Sequence, residues 1–127
     1  MGFTFNKSEK LKSRKLIEQL FLEGKSVTVF PFRMLYLQTS FEHGPKIKAG
    51  ISVSKRNFKK AVERNRIKRL MREAYRLNKS HYFNNITTSY ALMILYIGKD
   101  MPDFGSVDSN LKLLFSSLIE KISKQNS

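Results

Sequence analysis

The chain has no cysteine, and its 127 residues include only two histidines, His43 and His81. Disulfides and thiolate metal sites are therefore excluded, and two histidines so far apart in sequence do not form the usual zinc arrangements. Proline and glycine are scarce, at three and six residues, so little interrupts regular structure. Spanning a bilayer as a helix takes roughly 20 apolar residues. The longest apolar run, residues 90–97, has eight. Residues 1–7 lack the apolar stretch and small-residue cleavage site of a secretory signal, so the expectation is a cytoplasmic protein with no membrane partner. Acidic residues are the last deficit: ten Asp and Glu face 24 Lys and Arg, a formal charge of +14. Carboxylates so thinly spread form no recognisable metal motif, and neither histidine has an acid–base or nucleophilic set around it. A small chain of this charge meets mostly polyanions, nucleic acid above all.

What is present is enough to build a core. Apolar residues make up 41% of the chain, and ten Phe and five Tyr are too many for a disordered protein. The length suits one domain over residues 1–127, frayed at 1–8 and 123–127. Residues 13–23 carry Leu16, Ile17, Leu20 and Phe21 at helical spacing, with Ser13 to cap the start and Gly24 to end it. In residues 27–39 Phe30, Phe32, Met34 and Tyr36 recur by twos, as on a strand, and Pro31 marks an edge position or a break. A turn signal at His43, Gly44, Pro45 and Lys46 precedes the alternating Ile47, Ala49, Ile51 and Val53, which predicts a hairpin partner strand. A helix is expected over 58–77, a loop over 78–89 and a strand covered on both faces over 90–97. A closing helix carries Val107, Leu111, Leu114, Leu118 and Ile122, with Ser106 as its cap. The order is helix, strand, strand, strand, helix, strand, helix, counting residues 27–39 as two strands. It predicts an α+β fold with one layer of sheet covered by helices.

The charge is concentrated. Between Lys55 and Arg76 ten basic residues face only Glu63 and Glu73, a net +8 within 22 residues. On a helix Ile67, Leu70, Met71 and Ala74 form one stripe, and Arg64, Asn65, Lys68, Arg69, Arg72 and Arg76 the opposite arc, with Arg66 at its border. A solvated face normally balances Lys with Glu, whereas here Arg64, Lys68 and Arg72 stand four apart and repel by a few tenths of a kcal/mol per pair. Guanidinium groups bind phosphate with two parallel hydrogen bonds and stack on bases, and Asn65 between two arginines adds a neutral donor and acceptor. No helix-turn-helix pair, heptad or zinc spacing accompanies this helix, which favours RNA over DNA.

Residues 51–76, ISVSKRNFKKAVERNRIKRLMREAYR, closely resemble the signature of the protein subunit of bacterial ribonuclease P, with its VSK strand end, KAV and RNR helix. Residues 10–24 resemble the family's first helix. The resemblance implies a small α+β sandwich with a mixed sheet and a left-handed βαβ crossover carrying the RNR helix. It also implies an accessory subunit of an endoribonuclease whose large RNA, with RNA-held Mg²⁺, removes the 5′ leader of precursor tRNA. Carried over, Arg64, Asn65, Arg66, Lys68, Arg69 and Arg72 would touch the catalytic RNA. Lys55, Arg56, Lys59, Lys60 and Lys99 would lie near the substrate. A cleft between the first helix and the sheet would hold the leader against Ile17 and Phe21, with Tyr36 or Phe32 as its floor. Ile17 stands where many members carry an aromatic, which implies weaker stacking. Gly98 stands where an arginine is common, which leaves Lys99 as the substitute cation. No protein partner and no tightly held cofactor are implied. A ribosomal or free-standing RNA-binding protein is the alternative that the charge alone would allow.

Overall fold

A computed structural model describes residues 9–41 and 44–125. The expected fraying of residues 1–8, and His43 of the turn signal, lie outside the described residues. The elements are helix α1 (Arg14–Glu23), strands β1 (Lys25–Val29), β2 (Phe32–Gln38) and β3 (Ile47–Val53), helix α2 (Ala61–Phe83), strand β4 (Tyr90–Tyr96) and helix α3 (Phe104–Gln125). They form one mixed four-stranded sheet in the order β1-β2-β4-β3, with β1–β2 and β2–β4 antiparallel and β3–β4 parallel. Among the described residues no helix is long and apolar enough to cross a membrane.

Local chemistry explains the boundaries. The Ser13 side chain accepts from the Leu16 N–H at 3.2 Å and starts α1. Gly24 donates to Leu20 O at 2.9 Å, and a Cβ at Gly24 would lie 2.4 Å from that oxygen, so only glycine closes the helix this tightly. Pro31 breaks the strand run as a two-residue turn with a cis Phe30–Pro31 bond, and Val29 pairs with Phe32 across it. α3 begins three residues earlier than Ser106 allows as a cap, because Asp103 Oδ1 accepts from the Ser106 N–H at 2.8 Å and does the capping.

Three expectations are corrected. β3 is not the hairpin partner of β2. Both edges of β2 are occupied, by β1 and β4, and β3 joins the far side of β4, the apolar central strand. The supposed loop after Leu77 is helical to Phe83, because that last stretch packs. Tyr82 and Phe83 stack on Phe115 with ring centroids 5.7 and 5.1 Å apart. The buried Asn78 donates to Ala74 O and Asp108 Oδ1 at 2.8 and 2.7 Å, and Lys79 pairs with Glu9. At the other end, α3 stays helical through Gln125 where fraying was expected, anchored by the buried Ile122 and extended by a Lys124–Glu120 pair.

Alternation along the strands divides the interior in two. Phe32, Met34, Tyr36, Tyr90, Leu92, Ile94 and Tyr96 face α2 and α3 in the main core with Ile67, Met71, Tyr75, Leu111, Leu114 and Phe115. The opposite face holds a smaller cluster of Leu11, Leu20, Leu35, Ala91 and Met93 under α1, with Leu16, Ile17, Leu37 and Phe41 partly buried around it.

Candidate nucleic-acid interface

α2 places Ile67, Met71, Ala74, Tyr75 and Asn78 inward at intervals of three and four, which turns the intervening positions outward. Asn65, Arg66, Arg69 and Arg72 are exposed on that outer side, and Lys68 is half-buried beside them. Arg64 differs from its neighbours. Its Nη1 donates to the carbonyls of Phe58 and Lys59 at 2.8 and 2.9 Å, so it closes the loop ahead of a helix whose N-cap, Lys60, makes no side-chain cap bond. Arg76 is engaged as well. It hydrogen-bonds Glu73, holding that carboxyl below the usual carboxylate range and its own guanidinium above its ordinary value.

A second group gathers where parallel strands β3 and β4 both end. Exposed Lys55 and Arg56 sit in the turn after β3, exposed Lys59 and Lys60 lead into α2, and exposed Lys99 follows β4. Asn57 ties the two loops together, its Nδ2 donating to Gly98 O at 3.2 Å. Gly98 is itself dictated by packing. A Cβ there would lie 2.8 Å from the Tyr96 hydroxyl and 2.9 Å from Pro31 Cβ.

The third group lies along α1. Phe21 is 55% exposed, not core, and the half-buried Ile17 one turn earlier lies on the same side of the helix. α1 lies over β2 and β4, so Lys48, Gly50 and Ser52 of β3 remain half-exposed beside it. Phe41 borders this strip with Lys48 Nζ 4.7 Å from its ring centroid, a cation over an aromatic face.

Phe32 and Tyr36 do not form the floor of this cleft. Both are buried on the other face, Phe32 edge-on to Tyr96 at 5.3 Å and Tyr36 near Tyr90 at 6.4 Å, and burial pushes the Tyr36 hydroxyl pKa up. The odd-numbered residues of β2, Arg33, Leu35 and Leu37, are the ones that share the α1 face, with Arg33 exposed. Reading β2 by its aromatics missed them. The available signal was the arginine in the odd series, since a strand buried on one side keeps its charge on the other.

Three surfaces of this kind, two cationic and one partly apolar, suit a single-stranded polyanion with exposed bases. Residues 5–118 match the family model for ribonuclease P. The chain belongs to the ribonuclease P protein family. It is 40% identical over 110 residues to the ribonuclease P protein component of Porphyromonas gingivalis, covering 84% of this chain and 80% of that one. It is 33% identical over 128 residues to the ribonuclease P protein component of Chlorobium phaeobacteroides, covering 91% of this chain and 88% of that one. Among solved structures, the RNase P protein of Thermotoga maritima superposes with a TM-score of 0.66 at 28% identity, covering 85% of this chain and 96% of that one. The Staphylococcus aureus RNase P protein gives 0.70 at 22%, covering 87% and 94%, which shows a shared fold.

Proposed function

We propose that this chain is the protein subunit of a ribonuclease P ribonucleoprotein and assists removal of the 5′ leader from precursor tRNA. Family membership carries the reading, and the face of α2 gives it a physical basis. Arg66, Arg69 and Arg72 crowd exposed like charges on one helix, an arrangement that stability disfavours and a phosphate backbone compensates. In this reading Asn65, Arg66, Lys68, Arg69 and Arg72 meet the catalytic RNA, and Arg64 shapes the approach by holding the loop before α2. Lys55, Arg56, Lys59, Lys60 and Lys99 lower the repulsion between the two RNAs. Ile17 and Phe21, with the exposed Arg33 replacing Tyr36 and Phe32 on the sheet, receive the leader.

The protein's contribution is differential binding, since contacts to the leader favour precursor over mature tRNA. Among the described residues no three His, Asp or Glu side chains gather to hold a metal ion. In this reading, as the family resemblance implies, Mg²⁺ would be held by the RNA and would supply the charge neutralisation that phosphodiester cleavage needs, and the ribonucleoprotein works in the cytoplasm.

Reconstitution tests this. Mixed with the catalytic RNA at low Mg²⁺, the protein is expected to restore accurate leader removal. RNA binding without any effect on leader removal would instead identify a ribosomal or free-standing RNA-binding protein. Arg66→Ala is expected to weaken association with the catalytic RNA and to reduce the slope of log affinity against log salt by about one; an unchanged slope would remove Arg66 from the contact.

A further inference from the structure

At the end of the sheet three segments are joined by hydrogen bonds. The Ile97 N–H donates to Pro31 O at 2.8 Å, which ties the β1–β2 turn to the chain leaving β4. Asn57 Nδ2 donates to Ile97 O and Gly98 O at 3.4 and 3.2 Å, which ties in the loop after β3. Gly98 lies so close to Pro31 that no side chain fits between them. The turn is thus seated on the body of the protein and does not wave above it.

This seated turn presents Phe30, which is 71% exposed. A single exposed apolar residue is ordinary; the company of Phe30 is not. The chain leaving β4, bonded to this turn, carries exposed Lys99 together with Asp100 and Asp103, and the loop after β3, bonded to that chain through Asn57, carries exposed Lys55 and Arg56 with no carboxylate in residues 54–60. An aromatic face flanked by cations is what an unpaired nucleotide requires, with the base stacking and the phosphates meeting the positive charge. The site is separate from the α1 cleft, because five residues of β1 carry the chain roughly 17 Å from the end of α1 to this turn.

We propose that Phe30 is a stacking platform for one unpaired base of an RNA partner, with the Lys55–Arg56 pair and Lys99 taking the phosphates on either side. The proposal rests on the RNA-binding reading above and adds a base contact to it. The base belongs either to the catalytic RNA or to the precursor, and the two sources separate by experiment.

Phe30→Ala, Phe30→Tyr and Phe30→Trp are each compared with the unaltered protein in two arms. One measures affinity for the catalytic RNA alone. The other measures affinity of the assembled ribonucleoprotein for precursor and for mature tRNA. Phe30→Ala is expected to weaken one arm by about 5- to 150-fold, the range for losing one stacked base. The salt slope is expected to stay unchanged, because no cation is lost, and the two aromatic variants are expected to restore binding. A loss in the first arm assigns the base to the catalytic RNA; a loss confined to precursor tRNA assigns it to the leader. Unaltered affinity of Phe30→Ala in both arms, or failure of both aromatic variants to restore it, overturns the proposal. In that case leader removal by the unaltered protein leaves the functional reading standing. If the unaltered protein neither binds RNA nor supports leader removal, both fall.

Discussion

The face of the sheet under α2 and α3 is closed by two helices of 23 and 22 residues, with large side chains such as Tyr75, Phe115, Phe32 and Met34 fully buried. The face under α1 is covered by ten residues, and its buried cluster holds no aromatic ring. On the first face nearly every large apolar side chain finds partners. On the second, Phe21 and Leu22 of the covering helix remain exposed and Lys48, Gly50 and Ser52 lie half-open. The first arrangement serves stability. The second gives up burial, worth about 25 cal/mol per Å² of apolar surface, and keeps a place for something to bind.

The largest expected effect probes the depth of that contrast. Phe115 meets Tyr75, Tyr82 and Phe83 at centroid distances of 5.9, 5.7 and 5.1 Å. Phe115→Ala is expected to cost roughly 3–5 kcal/mol and Leu20→Ala, in the smaller cluster, roughly 2–3 kcal/mol. Chemical denaturation measures both, and a cost for Leu20→Ala equal to or above that for Phe115→Ala would erase the difference between the faces. Next comes Gly98→Arg, which supplies the cation that the family resemblance implies at this position. Packing against Pro31 and Tyr96 makes the expected result a loss of roughly 1–3 kcal/mol, the usual cost of overpacking. Unchanged stability together with tighter RNA binding would show that the glycine reflects no steric demand. The smallest stability effect is expected at Phe21. Phe21→Ala should change stability by no more than about 0.5 kcal/mol, as surface substitutions do, yet selectively weaken precursor tRNA binding by the assembled ribonucleoprotein. An equal loss for mature tRNA would detach Phe21 from the leader.

The sequence disclosed the elements better than their pairing. α1, the break at Pro31 and the central apolar strand β4 each rest on local signals, namely a serine cap, a missing N–H and an unbroken apolar run. The parallel pairing of β3 with β4 depends on residues some 40 positions apart, and the turn at 44–46 pointed instead to a hairpin. The end of α2 was hidden for a related reason. Asn78 and Lys79 read as polar loop until Asp108 and Glu9, distant in sequence, supply their partners. At the candidate interface, helical periodicity correctly turned Arg66, Arg69 and Arg72 outward, but it could not show that Arg64 bonds back to its own loop. The resemblance implies Phe32 or Tyr36 as the floor of the cleft, whereas the side of the pleat decides the matter. Phe30 went unassigned because its spacing by twos matched Phe32, Met34 and Tyr36, and only the turn lifts it out of that series.

β3 is one of the two outer strands of the sheet, and such a strand offers unpaired N–H and C=O groups on which a strand of another molecule can add. Here Lys10 lies in a parallel bridge with Ala49, and the Leu11 N–H donates to Ala49 O at 3.0 Å. The segment before α1 therefore occupies the middle of that border, with Leu11 turned into the small cluster and exposed Lys10 and Lys12 on either side of it. The middle of β3 is thereby closed to an added strand from another molecule, by nothing more than one short half-strand.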